Sequence, residues 1–596
     1  MLKRFLISFL GGVAGTWTSV FLAMAAFFLM FMIMLASVGN STGAVAKVGK
    51  RSVLYINLSG EIVDRETVPE FFKSIYYDSS TQSLQDILAS LDQAADDERI
   101  EGVFIDCLGA NPGMAGSEAL NRALDEFRKS GKWVISYADS YTQGNYYIGC
   151  HADSVFINPS GVIDLHGLSS TTPFFKNLLD KLGVEMQVVK VGTYKSAVEP
   201  YILTSMSDAS REQQKAFLDN MWGVVRESIA KARNVKADVI DALADSMLIT
   251  VDAKEYEKMK LVDGLRYRHE VESTLMALTD NDDLDDVNFI TPAQYCQEGA
   301  LERSLSRGKD KKIAVLYALG DIVDYGSADI SAEWMVPQIE RIMKDEDVDG
   351  LILRVNSPGG SAFASEQIWE ALERYKEVTG NPYFVSMGDY AASGGYYISC
   401  GADCIYAEPL TLTGSIGIFG MIPNLQGTFN DHLGITFETV KTNRNGAFPT
   451  LLEPMSPSQR EAMQGMINRG YELFVSRVAA GRGMTVSQVK SIAEGRVWDG
   501  KKALSIGLVD KQGGLELAIR DMADRLGTTV DDCRVVEYPR VEYDFWKGSL
   551  TYVSMQLKDM LLADELSPEM LELYGAIGRL KSMNCVQCRM PMMEIN

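Results

Sequence analysis

The chain has 596 residues, 46% of them hydrophobic, so it is long enough to form several domains with buried cores. Its formal net charge of −23 at pH 7 disfavours nucleic acid as a partner, because binding phosphates requires a cationic surface. Eight cysteines in this length are too few for a disulfide scaffold.

The N-terminal segment differs in composition from the rest of the chain. Lys3 and Arg4 precede a stretch, 5–46, that has no ionisable side chain. Its most apolar part, 20–38, can cross about 30 Å of hydrocarbon as a helix, whereas a cleaved leader has an apolar core of only about 7–15 residues. We therefore predict that residues 1–46 form a cytoplasmic N-terminus and an uncleaved transmembrane signal anchor, with a cleaved leader as the alternative. The basic residues would stay in the cytoplasm, which places the remainder of the chain outside.

From residue 47 onward, one sequence pattern occurs twice. Ala138–Asp153 aligns with Gly388–Asp403, 250 positions later, and both stretches share an Asp, a Tyr-Tyr-Ile, a Cys and a final Ala-Asp. Ile100–Gly113 matches Val348–Gly360 at nearly the same spacing. Matches at one spacing over so much of the chain indicate an internal duplication.

Each copy alternates short apolar runs with helical patterns, which predicts an α/β fold with a parallel sheet covered by helices. The copies predict an N-terminal repeat at 47–300 and a C-terminal repeat at 313–540. The polar, charged segment 301–312 is predicted to be the linker between them.

The last segment, 541–596, is predicted to be a helical tail that packs on a domain or a partner subunit, with membrane contact as the alternative. Apolar residues recur in it at helical spacing, at Leu550, Val553, Leu557 and Met560. Cys585 and Cys588 form a CxxC pair, which is half of a zinc site or a redox pair. No second pair or neighbouring histidine completes a site, so the role of these cysteines and of the tail stays open.

Reactive residues present in only one copy are informative, because both copies need scaffold residues but chemistry needs each reactive group once. Ser393 lies at a predicted strand-to-helix corner where the first copy has Gln143, whose amide is not a nucleophile. The backbone N–H groups of Gly360 and Gly394 are the predicted oxyanion hole for attack by this serine. The alternative is that these glycines only shape a turn.

A serine at its ordinary pKa needs a base to become a nucleophile. Each histidine is predicted to be structural or exposed, namely His151, His166, His269 and His432. Lysine can act instead if burial lowers its pKa from about 10.4 toward neutrality. Lys190 and Lys441 occur in both copies and are predicted scaffold residues, whereas Lys195 has Gly446 as its counterpart. One copy keeps a lysine and the other a serine, which predicts a composite site in which Lys195 is the base for Ser393. The alternative is that Lys195 is only a surface charge.

Four motifs, DYAASGGYYIS, VNSPGG, LTGSIGIFG and GTYKSAVEP, together resemble the signal peptide peptidase (protease IV) family in its large bacterial form. The resemblance covers nearly the whole chain except about the last fifty residues. It implies tandem ββα superhelix domains similar in fold to the Clp protease subunit and the crotonases. It also implies Ser393 as the nucleophile, Lys195 as the general base, and Ser415 as the residue that orients the lysine.

The resemblance further implies a serine endopeptidase that uses a serine–lysine dyad and degrades cleaved signal peptides and other apolar peptides. It implies a homotetramer in the bacterial inner membrane, with its catalytic domains in the periplasm. No metal or cofactor is expected.

Two other function classes stay open on the sequence. A crotonase-like acyl-CoA enzyme would use the same oxyanion glycines without the serine–lysine pair, and a non-catalytic membrane scaffold would tolerate decay of both copies. The sequence does not define the cleavage specificity, the number of subunits, or whether the dyad forms within one chain or across subunits.

Overall fold

The computed structural model describes the greater part of both repeats and a short piece of the tail, at residues 48–65, 81–297, 311–326, 330–539, 586–590 and 594–595. The predicted anchor, nearly all of the predicted linker, and residues 541–585 lie outside the described residues. Within the described ranges, no helix combines the length and the apolarity needed to cross a membrane.

The first repeat alternates strands and helices, as the sequence predicts. Its described strands are β1 (Ser52–Leu58), β2 (Glu61–Val63), β3 (Thr81–Ser83), β4 (Ile100–Cys107), β5 (Trp133–Ala138), β6 (Ser154–Ile157), β7 (Ser170–Thr171), β8 (Glu185–Lys190), β9 (Gly264–Leu265) and β10 (Phe289–Ile290). Its described α-helices are α1 (Leu84–Asp96), α2 (Gly113–Arg128), α3 (Gln143–Gly149), α4 (Lys176–Lys181), α5 (Glu199–Ile202), α6 (Asp208–Ala232), α7 (Ala237–Ala244), α8 (Ala253–Lys258) and α9 (Arg268–Thr279).

The second repeat follows the same succession. Its described strands are β11 (Lys311–Leu319), β12 (Ile322–Val323), β13 (Ile330–Ser331), β14 (Gly350–Ser357), β15 (Gly359–Ser361), β16 (Tyr383–Ala392), β17 (Cys404–Ala407), β18 (Leu412–Gly414), β19 (Phe419–Asn424), β20 (Val497–Asp499), β21 (Lys511–Gln512) and β22 (Cys533–Tyr538). Its described α-helices are α10 (Ala332–Lys344), α11 (Ala362–Thr379), α12 (Gly394–Tyr397), α13 (Pro457–Gly481), α14 (Val486–Ile492), α15 (Gly500–Ser505) and α16 (Leu515–Arg525). The tail contributes β23 (Val586–Arg589) and β24 (Glu594–Ile595).

The duplication is visible in local detail as well as in element order. The hydroxyl of Ser83 accepts a hydrogen bond from the amide of Asp86 and so caps α1. The hydroxyl of Ser331 accepts one from the amide of Trp334 and caps α10, the equivalent helix of the second repeat. Such a cap satisfies an amide that has no partner within its helix, so both copies keep it for stability.

Two parallel sheets form the centres of the two repeats. The first has the strand order β10-β1-β4-β5-β6-β9. The second has the order β20-β18-β16-β14-β11-β22, with β17 also paired to β16, and among these pairs only β18 and β20 run antiparallel. Strands such as β4 and β14 are buried along nearly their whole length, because helices cover both faces of a parallel sheet.

A third sheet joins the two repeats and carries the tail. Its strand order is β13-β12-β15-β23-β19-β8. Strand β8 belongs to the first repeat and pairs antiparallel with β19 of the second, from Glu185 opposite Asn424 to Lys190 opposite Phe419. The repeats are therefore not separate units, because this pairing places the chain that follows β8 against the second repeat.

One predicted boundary and one predicted conformation differ from the structure. The predicted linker ends at 312, but Lys311 and Lys312 already belong to β11, because they pair with Cys533 and Arg534 of β22. The sequence predicts a helical tail, but the described segment Val586–Arg589 is a strand between β15 and β19. Pairing with two strand edges decides the conformation of this short segment, and its own sequence carries no strong strand pattern.

Candidate active site

Ser393 lies at the corner between β16 and α12, as predicted. It adopts φ 56° and ψ −111°, which is unusual for a residue with a side chain. Its amide donates a hydrogen bond of 2.7 Å to the carbonyl of Gly414, and its carbonyl accepts one of 2.8 Å from Tyr397. These two bonds hold the corner in a strained conformation, a feature that clusters at functional sites.

Lys195 reaches Ser393 within the same chain. Its Nζ lies 2.7 Å from Ser393 Oγ, 3.1 Å from Ser415 Oγ and 3.2 Å from the Ser415 carbonyl oxygen. All three residues are 0% exposed. Along the chain the two serines lie 198 and 220 positions from the lysine, so the fold alone brings the three side chains together.

The loop that carries Lys195 leaves β8 and packs on a turn of the second repeat. The amide of Tyr194 donates a hydrogen bond of 2.9 Å to the carbonyl of Glu494. A Cβ on Gly495 would lie 2.6 Å from the Cβ of Lys195, so only glycine leaves room for the lysine backbone at this point. Glu494 and Gly495 carry no signal of this role in the sequence, because neither residue type indicates a contact with a loop some 300 positions earlier.

Burial sets the protonation of the lysine. Removal from water disfavours the charged amine and lowers the pKa of Lys195 to about 7. Its hydrogen-bond partners are serine oxygens, and no carboxylate is among them in the described part of the chain. The amine is therefore available in its neutral form near neutral pH, as a base must be.

Ser415 completes the surroundings of the amine. Its hydroxyl donates a 3.4 Å hydrogen bond to the carbonyl of Gly495, which leaves the oxygen free to accept one from Lys195. A neutral amine has two N–H donors and one lone pair. When the two donors bind the hydroxyl and carbonyl oxygens of Ser415, the lone pair is left for the hydroxyl of Ser393.

The predicted oxyanion donors are neighbours of each other. A Cβ on Gly394 would lie 3.1 Å from the Gly360 nitrogen, and a Cβ on Gly360 would lie 1.9 Å from the carbonyl oxygen of Ile322. A side chain would clash with the backbone at Gly360 and would be in tight contact at Gly394, so the two backbones approach closely beside Ser393. Their role as an oxyanion hole stays a prediction.

In the first repeat, the side-chain amide of Gln143 occupies the corner equivalent to that of Ser393. The Oε1 of Gln143 accepts hydrogen bonds of 2.9 Å from the amides of His166 and Gly167, and its Nε2 donates one of 2.9 Å to the carbonyl of Gly167. Gln143 thereby joins the corner to the turn at His166 and Gly167. In the second repeat, the corresponding positions are those of Ser393 and Ser415. This corner keeps its fold without a nucleophile.

One histidine makes a contact that resembles a catalytic triad. His151 Nδ1 lies 2.9 Å from Asp125 Oδ1, and His151 Nε2 lies 3.0 Å from Ser228 Oγ. However, Ser228 lies inside helix α6, where the backbone amides are engaged in helical hydrogen bonds and cannot stabilise an oxyanion. The contact ties α2, α6 and the end of α3 together, which fits the structural role predicted for His151.

Cys588 of the CxxC pair is buried beside the site, and Cys585 lies outside the described residues. Cys588 pairs with Gly360 across β15 and β23, and it is close enough to Lys195 for the two groups to interact electrostatically. Burial raises the pKa of its thiol to about 12, so the thiol is neutral. Within the described residues, no group of three His, Cys, Asp or Glu side chains could hold a metal ion.

Both repeats of the chain are similar to known peptidases. The profile of peptidase family S49 matches residues 126–282 and 376–529, one stretch in each repeat. The chain is 33% identical to Protease 4 of Haemophilus influenzae over 90% of this chain and 89% of that protein. It is 32% identical to the chloroplastic serine protease SPPA of Arabidopsis thaliana over 79% of this chain and 69% of that protein.

A solved structure of a ClpP1 mutant from Listeria monocytogenes is 16% identical, and the match covers 34% of this chain and 92% of that one. Its TM-score is 0.23, a likeness too small to carry an argument. The profile match in each repeat shows a peptidase domain present twice, and the sheets of the two repeats give it a mixed α/β fold. The chain belongs to peptidase family S49 and is a serine peptidase, which decides against the acyl-CoA enzyme and the scaffold.

Ser415 offers a test of how the amine is positioned. We expect Ser415→Ala to lower kcat about tenfold with little change in KM, because the amine loses one partner that fixes its lone pair on Ser393. Ser415→Gly should lose as much, although glycine relieves the left-handed backbone at φ 51°. Steady-state kinetics on a peptide substrate measure both effects, and wild-type kcat in either variant would exclude this positioning role.

Proposed function

We propose that the chain is a membrane-anchored endopeptidase that degrades cleaved signal peptides and other apolar peptides with a serine–lysine dyad. The observation that carries the proposal is the 2.7 Å contact between Lys195 Nζ and Ser393 Oγ in a fully buried site. A lysine in such a place, without a carboxylate partner among its hydrogen bonds, is suited to be a base rather than a structural cation.

The proposed reaction is acyl transfer in two halves. Neutral Lys195 accepts the hydroxyl proton of Ser393 while Oγ attacks the carbonyl carbon of the substrate peptide. The amides of Gly360 and Gly394 stabilise the negative oxygen of the tetrahedral intermediate. The ammonium of Lys195 then gives its proton to the leaving amine. In the second half, Lys195 accepts a proton from the water that attacks the acyl-enzyme. It then returns that proton to Ser393 Oγ as the acyl bond breaks and the carboxylic acid product leaves.

Labelling and hydrolysis together test the reaction class. We expect a fluorophosphonate probe to label the chain at Ser393 and no other serine, and we expect an unmodified apolar peptide to be hydrolysed. Mass spectrometry of the labelled peptide identifies the site. Modification elsewhere, or turnover of an acyl-CoA thioester without turnover of the peptide, would contradict the dyad mechanism.

The lysine also sets a pH dependence. The base form is the neutral amine, and burial lowers the pKa of Lys195 to about 7. Below that value the amine is protonated and cannot accept the proton of Ser393, so we expect kcat/KM to fall about tenfold per pH unit on the acidic side of about 7 and to level off above it. A pH–rate profile that is flat from about pH 5 to about pH 8 would contradict this assignment.

The anchor, the location and the assembly are the other parts of the proposal. The apolar stretch 20–38 behind Lys3 and Arg4 supports a span with a cytoplasmic N-terminus, which leaves the repeats on the periplasmic side. An anchored site near the bilayer suits apolar peptides left in the membrane. Protease accessibility in spheroplasts tests the orientation, and the mass of the detergent-solubilised particle tests the homotetramer that the resemblance implies.

A further inference from the structure

The groove beside the dyad contains a segment of the chain itself. Strand β23 runs antiparallel to β15 on one side, with Gly359 opposite Arg589 and Ser361 opposite Gln587. On its other side β23 runs antiparallel to β19, with Phe419 opposite Gln587. A peptide substrate commonly adds to exposed strand edges in this manner, with backbone hydrogen bonds on its flanks. The end of the tail therefore lies where an extended substrate would bind.

The register places one carbonyl of the strand at the predicted oxyanion hole. A Cβ on Gly359 would lie 2.2 Å from the carbonyl oxygen of Cys588 and 2.7 Å from the nitrogen of Gly394. The Cys588 carbonyl and the Gly394 amide thus approach the same point, as the carbonyl of a residue about to be cleaved would. The amide of Met590 continues the pairing with a 2.8 Å hydrogen bond to the carbonyl of Pro358.

The side chains of the strand hold it in place and close the site. Cys588 is fully buried close to Lys195, and the guanidinium of Arg589 donates hydrogen bonds of 2.8 and 2.7 Å to the carboxylate of Asp321. Met590 is also buried. With the strand in the groove, Ser393 and Lys195 have no exposed surface, so a substrate cannot reach them.

We propose that the C-terminal strand Val586–Arg589 is an intramolecular, substrate-like occupant of the peptide groove, with Cys588 in the primary side-chain site, and that it must leave before a substrate binds. The proposal rests on the peptidase function argued above. It assigns a role to the second cysteine of the CxxC pair as a small, neutral side chain that fits beside Lys195. It also implies that the groove prefers a small or apolar residue at that position, followed by residues in extended conformation.

Two variants at Cys588 distinguish a groove that β23 occupies from an open groove. Cys588→Trp in the full chain places a side chain that is too large for the buried site and expels the strand, whereas Cys588→Ser fits in the same space. We expect a fluorophosphonate probe to label Ser393 at least about tenfold faster in Cys588→Trp than in the wild-type chain, and Cys588→Ser to stay close to wild type. A synthetic peptide with the sequence of Val586–Met590 should slow the labelling of Cys588→Trp competitively.

Hydrogen exchange gives a readout that does not depend on activity. We expect the amides of β15 and β19 to exchange faster in Cys588→Trp than in the wild-type chain, because they lose β23 as a partner. Equal exchange and equal labelling in the two chains would overturn the proposal, as would an intact mass showing that the wild-type chain is cut within β23 instead of keeping it. If neither chain is labelled but exchange differs, the strand does occupy the groove and the failure lies with the proposed peptidase chemistry.

Discussion

Ser393→Ala should lower kcat/KM for a peptide substrate by at least about a thousandfold, because it removes the proposed nucleophile that forms the acyl-enzyme. The loss should appear in kcat, and fluorophosphonate labelling should disappear with it. Alanine removes only the oxygen next to Lys195, and the corner keeps its backbone bonds to Gly414 and Tyr397, so the thermal unfolding midpoint should change little.

A matched control for this change lies shortly after it in the chain. Ser399 is also fully buried, and its hydroxyl donates a hydrogen bond to the carbonyl of Gly395 rather than to Lys195. Ser399→Ala should keep activity within about threefold of wild type, since a single neutral hydrogen bond contributes little. Equal losses in the two alanine variants would mean that the effect at Ser393 comes from the fold of the corner, and retained activity in Ser393→Ala would exclude it as the nucleophile.

Lys195→Met should lower kcat by about a thousandfold or more at every pH, because methionine fills the buried space but cannot accept the proton of Ser393. The acidic fall in the pH–rate profile should vanish in whatever activity is left. The control is Lys441→Met, since Lys441 is exposed on a loop and paired with Glu453, and this change should leave kcat near wild type. A residual profile in Lys195→Met that still falls below about pH 7 would assign the titration to another group.

Lys195→Met should also stabilise the fold. The pKa of Lys195 is about 7 in the folded chain and 10.5 ordinarily, so between these values the unfolded chain binds more protons and stability from this group rises with pH. The destabilisation by the amine is therefore largest at and below about pH 7 and fades toward pH 10.5. Differential scanning calorimetry should show Lys195→Met gaining in Tm at about pH 7 and gaining much less at about pH 10, and a gain that is independent of pH would contradict this linkage.

The sequence predicts the centres of the repeats well, because local patterns decide them. Hydrophobic periodicity and turn residues alone predict the strand β14, the helix α11 and the strand β16. They do not predict the third sheet. Strand β8 pairs with β19 across a long separation, with Lys190 opposite Phe419, and β23 adopts its conformation only because two strand edges flank it. Pairings at such separation depend on tertiary packing that a single sequence does not encode locally.

Of the candidate site, the sequence predicts the reactive groups and misses their surroundings. Ser393 and Lys195 stand out because each survives in one copy only, and the structure brings them together. Ser415 enters through the family resemblance, since a serine in a glycine-rich turn has no signal of its own. Glu494 and Gly495 position the lysine loop through backbone contacts, which depend on shape rather than on residue chemistry. The catalytic roles themselves stay predictions until the variants are measured.

The delivery of Lys195 by a strand of the first repeat into the sheet of the second has a genetic consequence. Each half lacks a reactive group that the other supplies, so neither half alone should have the dyad. A gene cut within the linker should still encode a working enzyme when both fragments are made in one cell. Two full-length genes, one defective at Ser393 and the other at Lys195, should fail to rescue each other as long as every site is assembled from a single polypeptide.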